Sequence, residues 1–282
     1  MHTIRDLVKL LRCTKCDSQT LHLKNAHKLV CKKCNTSYAI KNGIPIFLPS
    51  PEIAEKKPQI SIFEKYINHY DAWFEKPKGK ILFINEVKAI KELIEYKTYE
   101  KSIEIGVGTG RFAQALHIKY GIDPSFSALL LAKKRGINVV QGIAEKLPFK
   151  SEIFEIAFII VTICYVQDPL MTLVEAHRVL KKNGLLVIGY IEKESPWGKA
   201  YLMKKKRGHV FYKPARFFSF NEIKDLLYKA KFEILKVVST LNRLPQEKPT
   251  LEKPIEGYKK DCGFIAILAQ KVPIKSKFLD LL

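Results

Sequence analysis

The sequence predicts an α/β domain, a parallel sheet covered by helices, with a small cysteine-stapled unit in front of it. Three observations point there. From Ser61 onward, helical patterns alternate with short apolar runs, as in parallel sheets built from strand–helix–strand units. A glycine cluster, Gly106-Val107-Gly108-Thr109-Gly110, follows the first of those runs and opens a helix. Four of the six cysteines fall within the first 34 residues, in two Cys-x-x-Cys pairs.

The elements follow in chain order. Residues 1–48 carry short alternating segments that end in a strand pair over Ser37–Leu48. Prolines at 49, 51 and 58 mark residues 49–60 as a linker, so the two units are expected to have separate cores. The second unit runs over residues 61–273, with a tail at 274–282. Ser61–Glu75 and Ile81–Tyr96 read as helices, and Ser102–Ile105 as a strand. Arg111–Lys119 reads as a helix, and Gly121-Ile122-Asp123 as the end of the second strand. Ser125–Arg135 is a helix, Ile137–Gln141 a strand, and Ile153–Ile163 a fully buried strand. Asp168 caps a helix with Pro169 at its first position, and Asn183-Gly184 reads as the stop. Leu185–Ile191 is the fifth strand. Ser219 and Glu222 form a capping box for a helix to Ala230. Phe232–Thr240 and Cys262–Gln270 are the last strands, separated by a polar loop over Leu244–Lys260.

With 282 residues the chain has room for one α/β domain and a small module. Its longest uncharged stretch, Ile156–Gln167, falls short of the roughly 20 residues that a membrane-spanning helix needs. Met1–Lys9 lacks the pattern of a signal peptide, so a cytoplasmic protein is expected. The net charge of +21 fits an anionic partner such as RNA. It also fits a compositional bias, because only eight of the 49 basic residues are Arg. Lys enrichment is common in thermophiles, whereas phosphate readers use Arg forks freely.

Cys13-x-x-Cys16 and Cys31-x-x-Cys34 predict a structural metal site. Each pair presents two thiolates from one tight turn, and two pairs complete the tetrahedral S4 set that zinc prefers. A reducing compartment disfavours the alternative, two disulfides. His22 and His27 lie between the pairs and read as surface residues. Cys164 and Cys262 stand alone in apolar runs and read as small buried hydrophobes.

The glycine turn lets backbone approach a ligand, and the helix after it aims its positive end at the same place. Dinucleotide-binding proteins use a related turn, but two features differ here. The spacing is GxGxG rather than GxGxxG, and Glu104 stands inside the strand two residues before the first glycine. A carboxylate there repels a pyrophosphate and suits a cationic ligand. Asp123, ending the next strand, is placed to accept ribose hydroxyls.

These residues resemble the class I methyltransferases that use S-adenosylmethionine (SAM), over residues 61–271 or so. The likeness is to the broad family that includes quinone-biosynthesis methyltransferases. It is carried by Ser102–Gly110, by Gln141-Gly142-Ile143-Ala144-Glu145-Lys146-Leu147-Pro148-Phe149, by Phe154–Ala157 into Val161–Pro169, and by Glu175–Leu186. The resemblance implies a seven-stranded Rossmann-like sheet of order 3-2-1-4-5-7-6 with the last strand antiparallel. It implies SAM contacts from Glu104, Gly106, Gly108, Gly110, Asp123, Ala144, Glu145 and Thr162. Ile143 departs from the polar residue common in the family, and Cys164-Tyr165 replaces a common His pair. The first 48 residues resemble the small zinc-ribbon activators of tRNA and translation-factor methyltransferases, which implies zinc on Cys13, Cys16, Cys31 and Cys34.

Methyl transfer from a sulfonium needs mainly alignment, so no catalytic residue is assigned. Thr162-Ile163-Cys164-Tyr165 lacks the Asn/Asp-Pro-Pro turn of adenine amino-methylases, and Cys164 lacks the proline that precedes cytosine-attacking cysteines. Tyr66, Tyr70, Asp71, Trp73 and Phe74 sit on a helix that folds over the cofactor in several family members, where Tyr70 would face the acceptor. The segment Lys199–Arg216 carries seven basic and no acidic residues, interleaved with Tyr201, Phe211 and Tyr212, a pattern that suits phosphates and base stacking. It has net charge +7, as do residues 1–48, and the two are expected to bind one RNA together. A small-molecule acceptor fits the catalytic resemblance equally. The alternative is a non-catalytic SAM-binding protein that docks a partner through its ribbon.

Overall fold

The computed structural model describes residues 4–48 and 58–272. Most of the expected linker at 49–60 and all of the expected tail at 274–282 lie outside the described residues.

The N-terminal unit opens with helix α1 (Ile4–Leu10), which buries Leu7 and Val8. Four antiparallel strands follow in order, β1 (Leu21–Asn25), β2 (Lys28–Cys31), β3 (Ser37–Lys41) and β4 (Ile44–Pro45). The two cysteine turns share one geometry. Asp17 and Asn35 each stand four residues after the first cysteine of a pair, at φ 56°. Each donates its N–H back to that cysteine's carbonyl, at 3.0 Å and 2.9 Å. Asp and Asn tolerate this left-handed conformation better than other side chains.

The second unit begins with helices α2 (Pro58–Trp73) and α3 (Pro77–Leu93). Next come β5 (Ser102–Ile105), α4 (Arg111–Ala115), β6 (Tyr120–Asp123), α5 (Phe126–Lys134), β7 (Asn138–Gln141), β8 (Phe154–Ile160), α6 (Pro169–Val179) and β9 (Leu180–Ile191). The chain closes with α7 (Pro196–Lys206), α8 (Phe220–Lys229), β10 (Phe232–Thr240), β11 (Ile255–Glu256) and β12 (Phe264–Lys271). The sheet runs β7-β6-β5-β8-β9-β12-β10-β11. Strands β5 to β9 pair in parallel, and β12 pairs antiparallel to β9 and β10. The two-residue β11 is an eighth strand supplied by the polar loop. Among the described residues no helix is long and apolar enough to cross a membrane.

Three sequence expectations are corrected. Asn183-Gly184 is not a helix stop. Helix α6 ends at Val179, and buried Leu180 already pairs with Phe154 in the sheet. Asn183, at φ 60°, turns within a stretch where the β8–β9 register shifts. Helix α4 is shorter than expected, because His117 at φ 56° turns the chain so that Ile118 enters the core.

The third correction concerns the cores. Leu7, Leu11, Leu29, Tyr38 and Phe47 pack into one cluster with Ile122, Val140, Leu147 and Phe149. Ile46 bridges Gln141 in parallel, and Phe47 N–H donates to the Gln141 carbonyl at 2.7 Å. Leu11 bridges Phe149, and Arg12 N–H reaches the Pro148 carbonyl at 2.9 Å. A unit this small buries too little apolar surface to stand alone, and β7 is a sheet edge with unpaired backbone groups. Docking the ribbon on that edge answers both.

Candidate active site

Strands β5, β6 and β8 end around one cavity of about 1090 Å³, its open mouth included. Glu104 lines it at 1% exposure, and its Oε2 is buried without a hydrogen-bond partner. Burial first, and the nearby Asp123 charge second, push the Glu104 carboxyl well above the usual carboxylate range. Burial likewise pushes Asp123 up to about 6, although it accepts N–H groups from Ser125 and Gly108, each at 2.9 Å. Two neighbouring acids on one cavity, Glu104 buried and Asp123 half-buried, favour a ligand that carries positive charge or hydrogen-bond donors.

Of the eight residues expected at a cofactor, Glu104, Gly106, Gly108, Asp123, Ala144, Glu145 and Thr162 line this cavity. Gly108, at φ 50°, has open space where a Cβ would stand. Gly110 does not line it. A Cβ there would lie 2.9 Å from Ala132 Cα, so this glycine serves helix packing. Thr162 donates its hydroxyl to the Gly106 carbonyl at 3.0 Å. Glu145 is occupied as well, accepting the Gln167 and Asp168 N–H groups at 2.7 and 3.3 Å, which ties its loop to the start of α6.

Helix α2 closes the cavity with Ile60, Phe63, Ile67 and Tyr70, and Phe74 just after it completes that wall. Asp71 pins it, receiving two 2.8 Å bonds from Arg111 and one from Arg135. Burial alone would raise the Asp71 carboxyl, but Arg111 and Arg135 outweigh it and hold it well below the usual range. Glu64 adds hydrogen bonds from the Ser125 and Ser127 hydroxyls at 2.7 and 2.6 Å.

A second cavity of about 1140 Å³ shares Tyr70, Phe74, Phe112, Val161 and Tyr165 with the first. Val161 stands in this common wall at φ 51°, a strained value for a β-branched residue. Cys164 lines the second cavity with its thiol pushed by burial up to about 12, so it is no thiolate nucleophile. Segment Lys199–Arg216 walls the same cavity with Tyr201, Phe211 and Tyr212. Tyr201 stacks on Tyr212 at 4.6 Å, and His209 on Tyr212 at 4.5 Å. The rings expected to stack on bases are turned inward, while Lys199, Lys206, Arg207, Lys213 and Arg216 stay exposed.

Sequence reasoning missed this second cavity and its one acid, Glu86. The signal was available. Glu86 falls on the apolar stripe of α3 formed by Leu82, Ala89, Ile90 and Leu93.

The Sγ atoms of Cys13, Cys16, Cys31 and Cys34 lie within 4.8 Å of one another, and His22 and His27 stand outside the group. The Cys13–Cys34 and Cys16–Cys31 separations are 3.6 Å. Tetrahedral zinc with bonds of about 2.3 Å requires S···S edges of about 3.8 Å, so the donor set fits that ion. The Tyr38 hydroxyl lies 3.1 Å from the Cys13 sulfur and receives the Thr14 N–H at 3.0 Å, which orients that cysteine.

Residues 103–188 match the family described as a methyltransferase domain. A crystal structure of a SAM-dependent methyltransferase from Thermotoga maritima, described as a possible histamine N-methyltransferase, is 43% identical, with a TM-score of 0.70 over 76% of this chain and 100% of that one. An uncharacterized protein of Mycobacterium tuberculosis is 37% identical over 201 residues, 71% of this chain and 70% of that protein. A chain from the complex of the Haloferax volcanii Trm112 methyltransferase activator with a methyltransferase shares the fold, at TM-score 0.51 and 16% identity over 71% of this chain and 96% of that one.

Proposed function

Since the chain belongs to the SAM-dependent methyltransferases, we propose that it transfers the methyl group to a small molecule held in the second cavity. The observation that carries this reading is the wall common to the two cavities, formed by Tyr70, Phe74, Phe112, Val161 and Tyr165. A molecule in the second cavity stands across that wall from whatever fills the first.

The first cavity fits SAM by its chemistry. Glu104 offers a carboxylate oxygen with no partner to the ammonium of the methionine part, and Asp123 offers acceptors to the ribose. Gly106, Gly108, Ala144, Glu145 and Thr162 are proposed to complete the contacts. When bound, SAM supplies an activated methyl group, and the carbon–sulfur electron pair stays on sulfur as the acceptor's lone pair bonds to carbon. The protein's own part is alignment. Helix α2, pinned at Asp71 and Glu64, holds Tyr70 between the cavities and excludes water. No side chain is needed to activate the donor, and the acceptor's proton leaves to solvent through the open side of the second cavity, away from the lid.

The four cysteines are proposed to hold one structural Zn²⁺, with no coordination position left for a substrate. Such a thiolate set suits a reducing compartment such as the cytoplasm. The exposed basic residues of Lys199–Arg216 favour a second reading, an RNA acceptor. Incubation with methyl-labelled SAM and an extract of the source organism decides between them. Label in the filtrate of low molecular mass is expected, and label confined to RNA overturns the small-molecule reading.

A further inference from the structure

The second cavity contains more unanswered polar chemistry than an apolar acceptor requires. Glu86 lines it at 8% exposure, and its carboxylate makes no hydrogen bond or ion pair among the described residues. Its neighbour Asn85 is also buried but paired, donating to the Thr250 carbonyl at 2.8 Å and accepting the Glu252 N–H at 3.0 Å. Helix α3 therefore satisfies a buried polar side chain where it packs against protein, and leaves the one facing the cavity unpaired. On β9, Tyr190 lines the same cavity at 2% exposure, with its hydroxyl buried and without a partner.

We infer that Glu86 anchors a protonated amine, so that the acceptors are small organic amines with an aromatic or apolar body, in which the anchored ammonium is not the atom methylated and a second atom supplies the lone pair. This rests on the methyltransferase reading and deepens it by naming the substrate class. A desolvated carboxylate with no hydrogen-bond donor in reach regains most of what burial costs from a cation. The rings of Tyr70, Trp73, Tyr201 and Tyr212 line the cavity, and aromatic faces favour the same charge and cover an apolar body. Those faces already accept a cation in this fold. The Lys204 ammonium lies 5.2 Å from the Tyr201 ring and 5.8 Å from the Tyr212 ring. Lys204 itself lines the cavity, where burial lowers its pKa, but it forms no ion pair with Glu86 among the described residues. A phosphate would meet repulsion from an ionised Glu86. Burial pushes the empty Glu86 carboxyl up to about 8, in keeping with an acid awaiting its counter-ion.

The test uses the full-length protein saturated with S-adenosylhomocysteine, the unreactive product of the donor. Calorimetric titrations compare 2-phenylethylamine with its neutral isostere 2-phenylethanol. The amine is expected to bind at least about tenfold more tightly, the size of one hydrogen bond to a charged group. Glu86→Gln is expected to abolish that preference and to leave S-adenosylhomocysteine affinity unchanged, because Glu86 does not line the first cavity. Equal affinities in the wild type, or a Gln variant that still prefers the amine, overturn the inference. The wild-type comparison decides alone if the variant does not fold. Failure of the wild type to bind S-adenosylhomocysteine would count against the methyltransferase reading instead.

Discussion

The Arg12 guanidinium lies 3.3 Å from the Glu175 carboxylate and joins the cysteine cluster to the loop that lines the first cavity. Arg12 precedes the cluster residue Cys13, and its Nε also donates to the Leu147 carbonyl at 3.3 Å. Glu175 in turn receives the Leu147 N–H at 2.7 Å and is braced by Arg178 at 2.6 Å. Leu147 closes the loop that begins at Gly142 and carries Ile143, Ala144 and Glu145. The ribbon is thus a buttress of the cavity wall.

Metal removal should therefore reach the cavity. Cys31→Ser, or a strong chelator, is expected to lower the melting temperature of the whole chain in one transition, because the cores are continuous. SAM affinity should fall with it. Scanning calorimetry that finds an early ribbon transition and an unshifted main peak would contradict this.

Arg12→Ala separates the brace from the metal. It leaves the four cysteines intact but leaves Glu175 with one guanidinium partner fewer, in a site where both side chains are mostly buried. SAM affinity is expected to fall several-fold with the metal content unchanged by elemental analysis.

The two acids of the first cavity set a pH dependence. Their carboxyls are raised by burial, so the empty protein favours their protonated forms, and their contribution to stability declines as pH rises through about 6 for Asp123. A cationic ligand reverses this preference, because it needs them ionised. SAM affinity should rise with pH through that range, and the thermal shift on binding should widen. Asp123→Ala should cost roughly 1.5–3 kcal/mol of binding at neutral pH, as for hydrogen bonds to a charged group. A pH-independent affinity in the wild type would show that these acids do not meet the ligand.

Asp71→Asn tests the lid. It removes the charge that Arg111 and Arg135 share while keeping the side chain's shape. Faster SAM release in stopped-flow, with a faster background loss of label to water, is the expected result. Unchanged kinetics would mean that Glu64 and the apolar contacts of α2 suffice.

The exposed basic face makes a separate prediction. Replacing Lys199, Lys206, Arg207 and Lys213 with Ala should abolish any salt-sensitive retention of RNA without changing SAM affinity, since none of the four lines either cavity. With the rings turned inward, such binding should show no preference for unpaired bases.

Local chemistry was legible in the chain alone. The cysteine pairs, the Gly106–Gly110 turn, Glu104 and Asp123 are short-range patterns whose meaning depends on neighbours within a few residues. The caps at Asp168 and Ser219 are of the same kind, and both are made as read. Asn183-Gly184 misled because a helix stop and a strand irregularity use the same left-handed residue, and only pairing with β8 chooses between them. What tertiary structure decided is what distant segments do together. It closed the ribbon onto the edge of β7, through contacts more than 90 residues apart in sequence. It turned Tyr201 and Tyr212 inward, because their apolar faces gain more against Trp197, Phe217 and one another than in water. It also set Glu86 opposite an aromatic wall drawn from segments far along the chain, so the buried acid acquires a purpose only where helix, lid and insertion meet.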